Sequence, residues 1–329
     1  MKNFGITGAA GYIAPRHLQA IKDTGNKLIA ALDPHDSAGI LDKFFPNTSF
    51  FTEFERFDRH LEKLRRTPSE KIDYLTICSP NHLHDAHIRL ALRLGANAIC
   101  EKPLVLNPWN LDALQVLENN SEGKVFTILQ LRVHPSLIEL KNKLHIQLPE
   151  SSIKRPESSI QKPVSRIKHQ VILTYITSRG PWYKYSWKGD IHKSGGIATN
   201  IGIHFFDLLL WYFGDAERIE VHYSSDEKMS GYIELENADV SWFLSIDRND
   251  LPEEAVKNGQ TTFRSIIVDE KEVEFTEGFT DLHTKVYSEI LDGRGFGIET
   301  ARPSVELVYK IRNEKISAKP SVLHPMLYK

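Results

Sequence analysis

The apolar positions of the first 130 residues come in short blocks that switch between two periods. Residues 4–7 form a compact apolar run that ends in a glycine turn and predicts a buried strand. From about 11 to 23, Ile13, Leu18 and Ile21 keep helical spacing, with Gly25 just past the end. Residues 27–32 read as a second strand, stopped by Asp33-Pro34. Phe54, Phe57, Leu61 and Leu64 mark an amphipathic helix over 54–64, and 72–78 is a third strand closed by Ser79-Pro80-Asn81. A helix over 84–94, a strand over 96–100, a helix from Pro108 to about 119 and a strand over 125–129 follow. This alternation predicts βαβ units and a mostly parallel, doubly wound sheet.

Beyond residue 130 the pattern changes. Residues 145–169 are polar and carry Pro149, Pro156 and Pro163, which predicts an exposed excursion. A strand over 171–177 and a glycine-led helix over 198–213 come next. Strands over 232–236 and 240–246 flank Asn237-Ala238-Asp239 as a hairpin. In its second strand Val240, Trp242, Leu244 and Ile246 face one way, and Ser241, Phe243 and Ser245 the other. Strands over 265–268 and 272–275, then helices over about 280–291 and 304–313, close the chain. The expected fold is an α/β domain over 1–130 and an α+β domain over 131–329 with a large, open, mainly antiparallel sheet.

Composition narrows the partners. The chain has 329 residues, 41 Lys+Arg and 43 Asp+Glu, so its net charge is −2. That balance argues against nucleic acid or an anionic membrane as the main partner, though a small anion needs only a few donors. No apolar run approaches the roughly 18 residues of a membrane span. The start of the chain shows no secretory pattern, and Cys78 and Cys100 have neither metal nor disulfide spacing. These features lead us to expect a reducing cytoplasm and no bound metal.

The first turn, Gly8-Ala9-Ala10-Gly11-Tyr12-Ile13-Ala14, lies between a strand and a helix. Glycines there let the backbone approach a pyrophosphate, and the helix start offers free N–H groups. We therefore expect Gly8, Ala10, Gly11, Tyr12 and Ile13 to bind a dinucleotide. Asp33, about 20 residues on, suits a ribose hydroxyl and repels a 2′-phosphate, which favours NAD over NADP. Such a turn also occurs in α/β proteins that bind nothing.

Three more segments fall at the ends of predicted strands, where α/β sheets take ligands. These are Ser79-Pro80-Asn81-His82-Leu83-His84, Glu101-Lys102-Pro103 and Gln130-Leu131-Arg132-Val133-His134-Pro135. Ser79, Asn81, His84, Glu101 and Lys102 are expected beside the cofactor. Lys102 could stabilise alkoxide character on a substrate oxygen, or be a surface lysine. His82 and His84 could instead cap or pack the next helix. Asn200, His204 and Asp207 share one helical face by their i, i+4, i+7 spacing. His204 could be a general base with Asn200 on the substrate, or a structural histidine bonded to Asp207. Gly202 inside this helix implies a close approach by a ligand or another backbone.

Together these motifs resemble the Gfo/Idh/MocA oxidoreductases over most of the chain. The resemblance implies a Rossmann domain, an open-sheet domain used for homo-oligomerisation, and NAD(P)-dependent hydride transfer at a sugar or cyclitol carbon. Many members carry an aspartate where this sequence has Asn200, so an Asp–His dyad is absent. That leaves His204 with Lys102 as its main partner, and either could be the formal base. The turn is also G-x-x-G rather than the commoner G-x-G.

Both departures, with the stretches 11–17, 174–180 and 194–202, are similar to one branch, the UDP-N-acetyl-D-glucosaminuronate 3-dehydrogenases of lipopolysaccharide O-antigen synthesis. This implies a UDP-sugar substrate, and in some members 2-oxoglutarate to recycle the cofactor. Such a substrate needs cationic, hydroxyl and aromatic groups, and Thr177, Ser178, Arg179, Trp187 and Lys188 supply them in one stretch. Two rival readings are a dehydrogenase of a free sugar or inositol, and an NAD-binding regulator without catalysis.

Overall fold

A computed structural model describes residues 1–147, 168–273 and 281–328. Most of the predicted excursion, the end of the 272–275 strand and Thr280 lie outside these residues.

The first sheet contains β1 (Asn3–Thr7), β2 (Lys27–Leu32), β3 (Ser49–Phe51), β4 (Tyr74–Ile77), β5 (Asn97–Cys100) and β6 (Val125–Thr127). Its order is β3-β2-β1-β4-β5-β6, and every pairing is parallel. Helices α1 (Ala14–Asp23), α2 (Ile40–Phe44), α3 (Phe54–Leu64), α4 (His84–Arg93) and α5 (Pro108–Asn119) connect these strands. The strands read as unbroken apolar runs because helices cover both faces of such a sheet. All strand ends that the crossovers leave open lie along one edge, where the motif-bearing loops gather.

After α6 (Pro135–Gln147) the chain forms a second sheet from β7 (His169–Thr177), β8 (Ala216–Ser224), β9 (Lys228–Leu235), β10 (Ala238–Ser245), β11 (Thr262–Val268) and β12 (Lys271–Glu272). Its order is β12-β11-β7-β10-β9-β8, antiparallel except for the parallel β7–β10 pair. The hairpin connection is Glu236-Asn237, so Ala238 and Asp239 belong to β10 rather than to the turn. Short helices α7 (Trp182–Tyr185) and α8 (Ile191–Ser194) precede a π-helical turn, Ala198–Gly202, and α9 (Ile203–Phe213).

The predicted alternation in β10 sets the two faces of this sheet. Val240, Trp242 and Leu244 face α9, where Phe206 meets the Trp242 ring edge-on at 5.4 Å. On the other face Phe243 clusters with Ile176 and Leu251, and the chain's end lays His324, Met326 and Leu327 over them.

Three helices complete the molecule: α10 (Glu253–Lys257), α11 (Leu282–Leu291) and α12 (Ile298–Asn313). Helix α12 begins six residues before the expected start, with Pro303 inside it. Helix α11 returns to the first sheet, where Val286, Tyr287 and Ile290 join the core of Phe4, Ile6 and Leu18.

Candidate active site

A cleft of about 890 Å³ lies at the open strand ends of the first sheet and extends to the inner face of the second. At its nucleotide end Gly8 has φ +77°, and a Cβ there would sit 2.5 Å from the Cys78 carbonyl. A side chain is excluded both by that conformation and by that contact. The Ala10 N–H donates to Asp33 Oδ2 at 2.9 Å, and the His35 N–H to Oδ1 at 2.9 Å. Asp33 therefore braces the turn while lining the cleft. The N–H groups of Tyr12 and Ile13 find no acceptor among the described residues, and Gly11, Tyr12 and Ile13 all line the cleft. Unpaired donors just ahead of α1 are what a pyrophosphate requires, so these residues fit a dinucleotide.

The loops after β4 and β5 are tied together. Buried His84 meets the Pro103 carbonyl through Nδ1 at 2.7 Å and the Ser79 carbonyl through Nε2 at 2.9 Å. Ser79 Oγ pairs with His87 Nδ1 at 2.9 Å. Asn81 donates to the Ser194 carbonyl at 2.9 Å, which joins the two halves of the molecule. His84 is thus both a structural brace and part of the cleft wall.

Glu101 is buried beneath the floor. Its Oε1 receives His17 Nε2 at 2.8 Å and His283 Nε2 at 3.1 Å. Burial works to raise its pKa, but these two hydrogen bonds outweigh burial and hold it well below the usual carboxylate range. Burial keeps His17 neutral, and its Nδ1 faces the Tyr287 hydroxyl at 2.8 Å. The three ligand-type groups converge within 4.8 Å, and their mutual hydrogen bonds account for that convergence.

Lys102 rises from the floor and donates from Nζ to the Asn200 carbonyl at 2.9 Å. Burial lowers its pKa from the usual lysine value to about 8; Glu101 opposes this, and Lys188 and Arg179 add to it. His204 faces the same space, and burial followed by the nearby Lys102 charge holds it well below the ordinary imidazole range. Its Nε2 lies 3.2 Å from Gln130 Nε2. Asn200 donates through Nδ2 to the Tyr183 hydroxyl at 2.7 Å.

Asp207 does not partner His204. Arg132 holds it through two bonds, Nε to Oδ2 at 2.8 Å and Nη2 to Oδ1 at 2.9 Å. Nor does a ligand explain Gly202: a Cβ there would meet Leu244 Cδ1 at 2.6 Å and Phe206 Cε2 at 2.7 Å. Two core side chains, rather than a ligand or a backbone, make the close approach.

Thr177, Arg179, Trp187 and Lys188 line the far wall, with the Lys188 ammonium 4.3 Å from the centre of the Trp187 ring. Ser178 is outside this wall: strand alternation directs Tyr175 and Thr177 inward and leaves Ser178 on the other side. Sequence reading missed Arg264 and Tyr175, which also line the cleft, and the contact of Gln130 with His204. Arg264 shares a face of β11 with Ile266 and Val268, so a period of two carried that signal.

A parallel sheet whose glycine turn ends in two N–H groups without an acceptor among the described residues, facing Lys102 and His204 across one cleft, defines a dinucleotide-dependent oxidoreductase architecture. Residues 2–128 match the oxidoreductase-family NAD-binding Rossmann fold, and 167–248 match the C-terminal α/β domain of the same family. The chain belongs to the Gfo/Idh/MocA oxidoreductase family, and its cofactor is NAD.

Among solved structures it is similar to the WlbA (WbpB) dehydrogenase from Thermus thermophilus in complex with NAD and UDP-GlcNAcA. That match is 50% identical over 99% of both chains, with a TM-score of 0.90. The same Thermus enzyme in complex with NAD and alpha-ketoglutarate matches at 51% identity over the same share, also with a TM-score of 0.90. A putative oxidoreductase, YteT, from Bacillus subtilis is 25% identical over 172 residues, which spans 52% of this chain and 36% of that relative.

Two outcomes follow from this geometry. Gly8→Ala will abolish measurable NAD binding in calorimetric titration while the far-ultraviolet circular dichroism stays close to native. Asp207→Ala will leave the Arg132 charge buried and unpaired, and will lower stability in urea unfolding by about 3–5 kcal/mol.

Proposed function

We propose that the chain oxidises the C3 hydroxyl of UDP-N-acetyl-D-glucosaminuronate to a 3-keto sugar. The observation that carries this reading is the placement of Lys102 and His204 together on the cleft floor, opposite the cationic wall of Arg179, Lys188 and Arg264. The similarity to the Thermus enzyme, which is seen with NAD and UDP-GlcNAcA, supports the same substrate.

NAD supplies the hydride acceptor. In the reading we favour, His204 takes the hydroxyl proton, because its depressed basicity keeps the imidazole neutral and ready to accept. Lys102 donates a hydrogen bond to the same oxygen and stabilises its developing negative charge. The C3 hydride leaves as the carbonyl forms. Asn200, held by Tyr183, orients the sugar ring. Arg179 and Lys188 pair with the diphosphate and carboxylate, and Trp187 flanks a ring.

The same cations suit 2-oxoglutarate. Its ketone would take a hydride back from reduced cofactor and a proton from His204, giving a 2-hydroxy acid and restoring NAD. A complex of the Thermus enzyme with alpha-ketoglutarate supports this second half-reaction. The 3-keto sugar would feed the synthesis of a 2,3-diacetamido uronic acid of an O-antigen in the cytoplasm. Partly exposed Ile172 and Ile267 on the outer face of the second sheet support a homo-oligomer, dimer or tetramer.

The test is reduced-nicotinamide absorbance in single-turnover mixing with UDP-GlcNAcA, UDP-GlcNAc, free glucuronate and inositol, with and without 2-oxoglutarate. Lys102→Ala and His204→Ala should each slow reduction about 10²–10⁴-fold; full activity in both would sink the assignment. Turnover on free sugars alone would overturn the nucleotide substrate, and bound NAD with no turnover would favour a regulator.

The pH profile separates the two candidate bases. A neutral His204 base with a charged Lys102 donor predicts a rate that falls as pH rises through about 8, where the ammonium is lost. The same pair predicts a fall on the acid side, below the ordinary imidazole range, where His204 gains a proton. A rate that instead rises through about 8 would assign the base to Lys102.

A further inference from the structure

We propose that His283 is a positioning residue for the oxidation: through Glu101 it keeps Lys102 in place as the charged donor of the cleft floor. The inference rests on the role given to Lys102 above.

Helix α11 closes the core of the first sheet with the buried side chains of Leu282, Val286 and Ile290. Two further buried residues of the same helix break that apolar pattern, His283 and Tyr287, one turn apart. An apolar pair would seal this core without needing partners. Both polar groups have partners, and both lead to Glu101. His283 Nε2 meets Oε1 at 3.1 Å. The Tyr287 hydroxyl meets His17 Nδ1 at 2.8 Å, and His17 Nε2 meets the same Oε1 at 2.8 Å.

A carboxylate only accepts, so each Nε2 carries its proton toward Glu101 whether the ring is neutral or charged. One oxygen thus holds two imidazole N–H groups. The other, Oε2, accepts the Lys102 backbone N–H at 3.3 Å. The carboxylate is held on both sides, at the residue next to Lys102.

Charge then links His283 to Lys102. Burial, Lys188 and Arg179 all disfavour the Lys102 ammonium, and Glu101 favours it. Glu101 is itself buried, and burial alone would drive it to take up a proton; the imidazole donors keep it ionised. Without the His283 donor that negative charge is weakened, and Lys102 gives up its proton at lower pH. Cys78, Cys100, Tyr287 and His84 also face Glu101, and His204 faces Lys102. Burial keeps the thiols and the phenol protonated and these two imidazoles neutral, so none of them replaces the Glu101 charge.

Two variants of the NAD-loaded protein test this: His283→Leu, which fills the space without a donor, and His283→Gln, whose amide offers an N–H at a similar reach. The first readout needs no substrate. In protein with lysine labelled at Cε with carbon-13, the Lys102 resonance, assigned through Lys102→Arg, is followed against pH. Wild-type Lys102 should titrate at about 8. His283→Leu should lower that midpoint by about one pH unit, a tenfold change in proton affinity, and His283→Gln should restore it. In single turnover with UDP-GlcNAcA the alkaline fall in rate should move with the midpoint. His283→Leu should then be about fivefold slower than wild type at pH 8, with NAD affinity within about threefold.

An unchanged Lys102 midpoint in His283→Leu would overturn the inference, and a loss of stability beside it would mark His283 as core packing alone. Equal shifts in the Leu and Gln variants would also overturn it, because the donor would then be irrelevant. If His283→Leu fails to fold, His283→Asn, whose side chain is too short to reach Oε1, takes its place with the same expectation. If the wild-type chain oxidised no UDP-sugar, the proposed function would fall, and the lysine titration would still decide the link from His283 to Lys102.

Discussion

The structure turns on one carboxylate oxygen. Glu101 Oε1 takes two imidazoles, His17 from the nucleotide helix α1 and His283 from α11 near the end of the chain. A neutral His17 that donates through Nε2 must accept at Nδ1, so the Tyr287 hydroxyl donates there and in turn accepts from Thr76. The series is directional and buried, so each of its hydrogen bonds acts in a low-dielectric setting. It fixes the end of β5, and Lys102 is the next residue. The Lys102 ammonium therefore stands on a base anchored to α1 on one side and to α11 on the other.

On the opposite side of the cleft, the π-helical turn and α9 are held with comparable closeness. Gly202 lets Phe206 and Leu244 come within contact distance, which seats the helix against the second sheet. Asn200 serves two partners, Lys102 through its carbonyl and Tyr183 through its amide. A widened turn at this place agrees with the frequent occurrence of π-bulges at functional sites. The cleft wall here is seated by Phe206 and Leu244, core side chains that do not themselves line the cleft.

Much of this was legible in the sequence, and the limits have physical causes. The parallel sheet was readable because its strands are buried on both faces and its helices carry clean stripes, as in Phe54, Phe57, Leu61 and Leu64. The glycine turn and Asp33 were readable because phosphate chemistry constrains residue type and spacing together. Helix α2 and strand β3 were missed because they are five and three residues long, too short for a period to register. Helix α6 was missed because its pattern runs into polar sequence. Long-range pairings were out of reach. Arg132 and Asp207 are 75 residues apart, and Glu101 and His283 are 182 apart. Spacing could place His204 and Asp207 on one face, but only the fold shows which partner each one takes.

The return of α11 to the first sheet also bears on how the molecule is made. The nucleotide fold begins at residue 3, yet part of its core is Val286, Tyr287 and Ile290. During synthesis the first six strands emerge long before those residues do. Until then the apolar side of Phe4, Ile6 and Leu18 lacks its cover, and Glu101 lacks His283. The cofactor-binding half is thus translated ahead of the helix that completes its core. Its packing is complete only once α11 has been made.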